Sequence, residues 1–325
     1  MPSTFKIALL AAVALGFGGI SANADTVLTL DRNFIEQYKD KLTIACDYSV
    51  DVAPAHAHPA SEDADMHVAG HCTNVGLRMV AEIMNANSVS DAEEAVQKAQ
   101  GTSARVQMVG AWRIWPEHAG TNAFVQFGQS ENEISSSTNP PHVFEIHPIT
   151  ELNDKDLSST LHFIAGYDSK SAEDAFQKYD SSPFQITPEK NGKVTMEMPM
   201  IGYNYVEFLM QLQPDSSTLA HPDDGTFVYA RIRSDAGDVV ANKVRVGFVK
   251  GSLPYSAEQT MAVGQCLKIL GIPRLDLALV SWRLRQAQGQ NPNQTNPDPS
   301  VLTWSMPYEM IAVGVDGAPS TCPDA

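Results

Sequence analysis

The sequence predicts an α+β fold made mainly of antiparallel strands, and three features lead there. Apolar, β-branched runs of strand length recur along the 325-residue chain, for example Leu77–Met84, Ala104–Trp115, Thr226–Arg233 and Lys243–Val249. Turn residues separate them, notably Asn191-Gly192, Asp224-Gly225 and Asp235-Ala-Gly237. Well-signalled helices are few. Ser90 with Glu93 opens one that Gly101 ends, and Ser171 with Asp174 opens another.

The elements follow in order. Lys6, the apolar run Ile7–Leu15 and Ala22-Asn23-Ala24 read as a signal peptide over residues 1–24, cut after Ala24. Residues 25–64 read as a lead-in, with Phe34, Ile35 and Tyr38 in a polar setting, followed by a loop rich in Ala, Pro and His. From Asp65 the pattern becomes strand-like: His67–Cys72, then Leu77–Met84. Ala92, Ala95, Val96 and Ala99 then form the buried stripe of a helix. Strands resume at Ala104–Trp115 and Val143–His147, the latter stopped by Pro148. Strand, strand, helix, strand, strand within residues 65–157 resembles a small barrel of the oligonucleotide/oligosaccharide-binding (OB) type, although a plain meander would give the same string.

Residues 158–325 read as a second β-rich domain with one or two helices. Leu161–Tyr167 predicts a strand and Ala172–Tyr179 a helix. Strands follow at Phe184–Thr187, Val194–Met198, Tyr203–Leu212, Thr226–Arg233 and Lys243–Val249. Ala257–Leu270 reads as a helix. Leu275–Trp282 alternates like a strand, with a helix from Pro273 as the competitor. Gln286–Ser300 reads as a long loop carrying the glycosylation pattern Asn293-Gln-Thr295, before closing strands at Val301–Trp304 and Tyr308–Val315. Ala92–Ala99 echoes Ala172–Tyr179, which suggests a duplicated β-α-β unit. Any capped amphipathic helix selects such residues, however.

With 38 acidic against 22 basic residues, the chain repels phosphate backbones and anionic lipid, so extended nucleic acid is not an expected partner. Past the leader, no apolar run reaches the ~20 residues of a membrane helix. Four cysteines in an exported chain predict disulfides, and pairing within each domain favours Cys46–Cys72 and Cys266–Cys322.

One constellation carries chemistry. Glu145 and His147 share a strand face, as do Asp65 and His67, with His71 further along that strand. If strands 65–72, 77–84 and 143–147 are neighbours, His67, His142, Glu145 and His147 can converge as metal ligands. Asp65 or Glu82 would then serve as a further ligand or as general base, with Zn, Mn or Ca as the cation. Taken singly, each histidine reads as structural or solvated. The His56-x-His58 loop reads as adventitious, and Glu117-His118 lies near the same region. Trp112 and Trp115 fall on opposite strand faces, so at most one serves a stacking platform. Nucleophile-elbow and phosphate-loop patterns are absent.

Asp65-Met-His67, Phe144-Glu-Ile-His-Pro148, Asn204-Tyr-Val-Glu-Phe208 and Gly271-Ile-Pro-Arg-Leu-Asp276 resemble segments of secreted bacterial proteins that carry an E-I-H-P strand. That resemblance implies export and no particular activity. The resulting expectation is a secreted or periplasmic non-catalytic protein that binds a small molecule, glycan or peptide through its N-terminal β-domain. The alternatives are a divalent-metal hydrolase built on the His/Glu cluster, or an envelope scaffold.

Overall fold

The computed structural model describes residues 26–129, 133–189, 191–288 and 302–323. The expected signal peptide, 1–24, and most of the expected loop with its Asn293 acceptor lie outside the described residues. No described helix is long and apolar enough to cross a membrane.

The first barrel is built from β2 (Thr43–Val50), β3 (Met66–Cys72), β4 (Arg78–Ile83), β5 (Arg105–Ile114) and β7 (Phe144–Leu152). The strand β1 (Thr26–Asp31) and the helix α1 (Arg32–Tyr38) precede it, and β6 (Ala123–Val125) interrupts the β5–β7 connection. The closed order is β2-β3-β4-β7-β5, with β4 and β7 parallel and the remaining pairs antiparallel. The helix α2 (Ser90–Ala99) joins the third and fourth barrel strands and buries Ala92, Val96 and Ala99 as the stripe predicts. The OB-like expectation therefore holds, with two changes. Barrel strand one is Thr43–Val50, inside the segment read as a lead-in. The last strand runs past Pro148 to Leu152 and on to a short β8 (Lys155–Asp156). Proline is accommodated because the β5–β7 register shifts between Gly110 and Trp112, opposite His147 and Pro148, so no ladder donor is needed there.

The C-terminal half repeats this plan. After β9 (Lys170–Ser171), α3 (Ala172–Ser181), β10 (Pro183–Pro188) and β11 (Lys193–Met198) come β12 (Val206–Leu212), β13 (Gly225–Arg233) and β14 (Val239–Val249). The helix α4 (Leu253–Glu258), β15 (Gln265–Leu275), α5 (Leu277–Gln288), β16 (Thr303–Ser305) and β17 (Tyr308–Thr321) complete the chain. β12-β13-β14-β17-β15 closes into a second barrel, with β14 and β17 parallel and a helix between its third and fourth strands. Barrel two thus has the connectivity of barrel one. The remaining sheet, β16-β10-β11-β1-β6, draws strands from both halves, with a left-handed Gly192 turning the β10–β11 hairpin.

Several sequence expectations give way. The duplicated unit is a whole barrel, and α2 corresponds to α4, so the Ala92/Ala172 echo is a likeness of composition. Ala257–Leu270 is not one helix: α4 ends at Glu258 and β15 starts at Gln265. β15 is buried on both faces (Cys266, Leu267, Ile269, Leu270 and Ile272), which erases the period-two signal. Leu275–Trp282 is the competitor helix, α5, with Asp276 Oδ1 accepting from the Leu279 amide at 2.8 Å. Leu161–Tyr167 forms no ladder. The C-terminal half holds three helices rather than one or two among the described residues.

Both expected disulfides are present, Cys46–Cys72 with sequence separation 26 and Cys266–Cys322 with separation 56. Such bonds mark an oxidising compartment. By loop-closure entropy, replacing Cys266 and Cys322 with serine should cost about 4 kcal/mol and replacing Cys46 and Cys72 about 3.5 kcal/mol, read as lowered urea midpoints.

The barrels meet through reciprocal contacts, as an approximate two-fold relation requires. Arg113 opposes Glu145 on β5/β7, and Arg274 opposes Glu309 on β15/β17. The Arg113 Nε donates to the Pro273 carbonyl at 2.9 Å, while Arg274 Nη1 donates to the Trp112 carbonyl at 2.9 Å. Each arginine thus grips the residue that precedes the other. The Tyr205 hydroxyl donates to Asp65, just before β3, and the Thr43 hydroxyl donates to Asp224, just before β13.

Candidate metal centre

Strand alternation sends Phe144 and Ile146 into the core of barrel one and leaves Glu145 and His147 on its outer face, as the sequence implies. On the same face β3 contributes His67 opposite Glu82 of β4, and β4 runs parallel to β7. The second barrel covers this face, so Asp65, Glu82, Arg113, His142, Glu145 and His147 are all essentially buried and His67 nearly so. The convergence that the sequence reading required is present. His71 departs from it, pairing with Asp51 at 3.2 Å.

The cluster divides into two parts. One is saturated: Glu145 accepts from Arg113 Nη1 at 2.5 Å through Oε2, and its Oε1 lies 3.0 Å from His142 Nε2. Arg113 Nη2 also reaches Glu117 at 2.8 Å. The His118 ring stacks on His142 at 5.2 Å. Burial alone would raise the Glu145 pKa, but Arg113, with hydrogen bonds from His142 and His147, holds it well below the usual carboxylate range. The expected ligands Glu145 and His142 already have partners, although with Glu82 they too offer ligand atoms within 4.8 Å of one another.

The other part is under-satisfied. Tyr205 donates to Asp65 Oδ2 at 2.6 Å, and its oxygen accepts from His147 Nε2 at 2.9 Å. On the far side of the ring, His147 Nδ1 lies 3.1 Å from Glu82 Oε2 and 3.5 Å from Glu145 Oε2. Asp65 Oδ1 is buried without a hydrogen-bond partner, and Glu82 Oε2 and His147 Nδ1 face each other as a buried ion pair without hydrogen-bond geometry. One ligand atom from each of Asp65, Glu82 and His147 lies within 4.8 Å of the others. A hard or borderline divalent cation suits this set of carboxylate oxygens and an imidazole nitrogen. These buried groups could hold a metal.

Electrostatics points the same way. Glu117 and Glu145 pair with the Arg113 guanidinium, while Asp65 and Glu82 flank the His147 ring, four carboxylates against two cationic groups. Burial pushes the Glu82 pKa up to about 8 despite His147, with Glu145 and Asp65 adding to the rise. Burial also raises Asp65, against the pull of His147. Burial would lower His147, but Glu82, Asp65 and Glu145 outweigh it and keep the imidazole cationic well above its ordinary range. The excess negative charge is thus offset by retained protons, which a divalent cation would displace.

Barrel two provides an internal comparison. Aligning Arg113–Glu145 with Arg274–Glu309 places His147 over Ile311, Glu82 over Gly247 and His67 over Phe227, and these three are mutual neighbours in barrel two as well. At Gly247 a Cβ would lie 2.3 Å from Leu42 Cδ2, so a side chain there would require Leu42 to move. The arginine–glutamate pair thus recurs in both barrels and belongs to the packing. Asp224 of barrel two answers Asp65, but His67, Glu82 and His147 have no polar counterpart there, so the fold does not demand them.

Arg113 and Tyr205 are the site residues that the sequence reading missed. An arginine inside the apolar run Val-Gly-Ala-Trp-Arg-Ile-Trp needs a buried carboxylate, and that signal was available. Tyr205 comes from the other barrel, which no local pattern reveals. Trp112 and Trp115 are both buried, so neither offers a stacking platform. No protein-family model matches the chain, and no curated protein sequence is similar to it.

Proposed function

We propose that this is an exported, non-catalytic divalent-metal-binding protein whose cation is held by Asp65, Glu82 and His147. The observation that carries this reading is the grouping of one ligand atom from each of those three buried residues within 4.8 Å of the others, two carboxylates and an imidazole together. Tyr205 fixes the His147 ring and the Asp65 carboxylate from the opposite barrel, the usual role of groups behind a ligand shell. Arg113 neutralises Glu145 and so limits the charge left for the cation to balance. The two disulfides support export.

Chelator-stripped protein titrated with Zn2+ or Mn2+ should bind and gain thermal stability, by about 2.7 kcal/mol at 100-fold excess over Kd. A Glu82→Gln/His147→Asn variant, folded by circular dichroism, should lose that gain. An equal gain in the variant would remove the site.

Hydrolysis is the second reading, favoured by one observation: His67, at the edge of the cluster, lies 3.6 Å from Glu82 and 3.8 Å from the half-buried Asp63. A bound cation would supply Lewis-acid chemistry there. Metal-dependent cleavage of a phosphate ester, abolished by Glu82→Gln, would select this reading over simple binding.

A further inference from the structure

The loop before β3 supplies a second donor set, which meets the buried centre at His67. His58 Nδ1 lies 3.0 Å from Asp63 Oδ1, and His67 Nε2 lies 3.8 Å from Asp63 Oδ2. The His58 and His67 rings meet edge to face with centroids 4.4 Å apart, so both imidazoles border the same carboxylate. One ligand atom from each of the three falls within 4.8 Å of the other two. His58 and Asp63 are each about one-fifth exposed, which gives a path from solvent. The exposed His56 ring stands 5.9 Å from His58.

The other side of His67 supplies an independent observation. Its Nδ1 lies 3.4 Å from the Asn139 side-chain nitrogen, while Asn139 Oδ1 is buried without a partner. Amide oxygen and nitrogen are exchanged by a simple flip. The flipped amide satisfies its oxygen by accepting from His67 Nδ1–H, moves its nitrogen to the other position, and leaves the Nε2 lone pair between Asp63 at 3.8 Å and Glu82 at 3.6 Å. That is how a ligating histidine is oriented from behind.

We propose that His58, Asp63 and His67 form a second, solvent-facing site for a divalent transition-metal cation such as Zn2+. Two imidazoles and one carboxylate suit Zn2+ and leave a coordination position open to water or to an incoming ligand. The loop read from sequence as an adventitious His-x-His is thereby the outer wall of a built site. None of its three ligands belongs to Asp65, Glu82 and His147, and the two sets adjoin where His67 Nε2 lies 3.6 Å from Glu82 Oε2.

Equilibrium dialysis of the chelator-stripped, full-length protein against Zn2+, with elemental analysis, tests it. Wild type should hold two Zn2+ per chain. His58→Ala and Asp63→Asn should each hold one, with unchanged circular dichroism and unchanged melting in chelator. Glu82→Gln/His147→Asn should also retain one, and adding His58→Ala to it should remove that ion. If His58→Ala and Asp63→Asn both bind as many ions as wild type, the outer site does not exist. If the outer ion is lost in those variants while Glu82→Gln/His147→Asn changes nothing, the outer site stands and the buried centre falls.

Discussion

Replacing Arg113 with methionine should destabilise the folded chain by about 3–5 kcal/mol, the usual cost of leaving a buried charge without its partner. The guanidinium is fully buried and neutralises Glu145 while reaching Glu117. Its Nε also holds the Pro273 carbonyl of the other barrel. Methionine keeps most of the volume, so the loss is electrostatic. Adding Glu145→Gln to the same chain should recover a large part of the loss, because the orphaned carboxylate is then gone. Urea unfolding followed by tryptophan fluorescence reads both, and Arg274→Met gives the matching effect through Glu309. Equal stability of the single and double variants would show that the pair is not coupled.

The metal-free protein should lose stability as pH rises from about 4.5 to about 8. Glu82 titrates near 8 in the folded chain against 4.5 as its ordinary value, so the folded state binds the extra proton throughout that window. A raised carboxylate pKa therefore favours folding below 4.5, and the advantage disappears as pH passes 8. The shift corresponds to on the order of 5 kcal/mol. Asp65 and His147, also raised, act in the same direction. Glu145, held low, contributes its stability above its ordinary value and loses it only in more acidic solution, so it does not cancel the trend. Glu82→Gln should flatten the slope. Zn2+ should reverse it, since the cation displaces the retained protons and binds more tightly as pH rises. A metal-free stability profile that climbs from pH 4.5 to 8 would contradict this assignment.

Much of the N-terminal barrel was legible because its strands alternate and its helix carries a narrow apolar stripe. The convergence of Asp65, His67, Glu82, Glu145 and His147 was legible too, since two-residue spacing on adjacent strands places them on one face. Their burial was not. An outer barrel face normally meets water, and only the second barrel, arriving with Tyr205 and Pro273, removes this one from solvent. The same packing hid barrel two itself. β15 is apolar on both faces and so mimicked a helix, and Gly247 and Ile311 give no sign that they occupy the positions of Glu82 and His147. Thr43–Val50 alternates buried Ile44, Cys46, Tyr48 and Val50 with exposed Ala45 and Asp47, but Cys46, Tyr48 and the flanking polar residues make that face only weakly apolar in sequence.

Crystals grown with Zn2+ and measured at the zinc absorption edge test the central assignment most directly. The expected result is an anomalous peak at about 2.0–2.2 Å from atoms of Asp65, Glu82 and His147. An edge-specific map without a peak there, with an ordered water joining the three side chains, would contradict it and leave a hydrated polar cluster between two barrels.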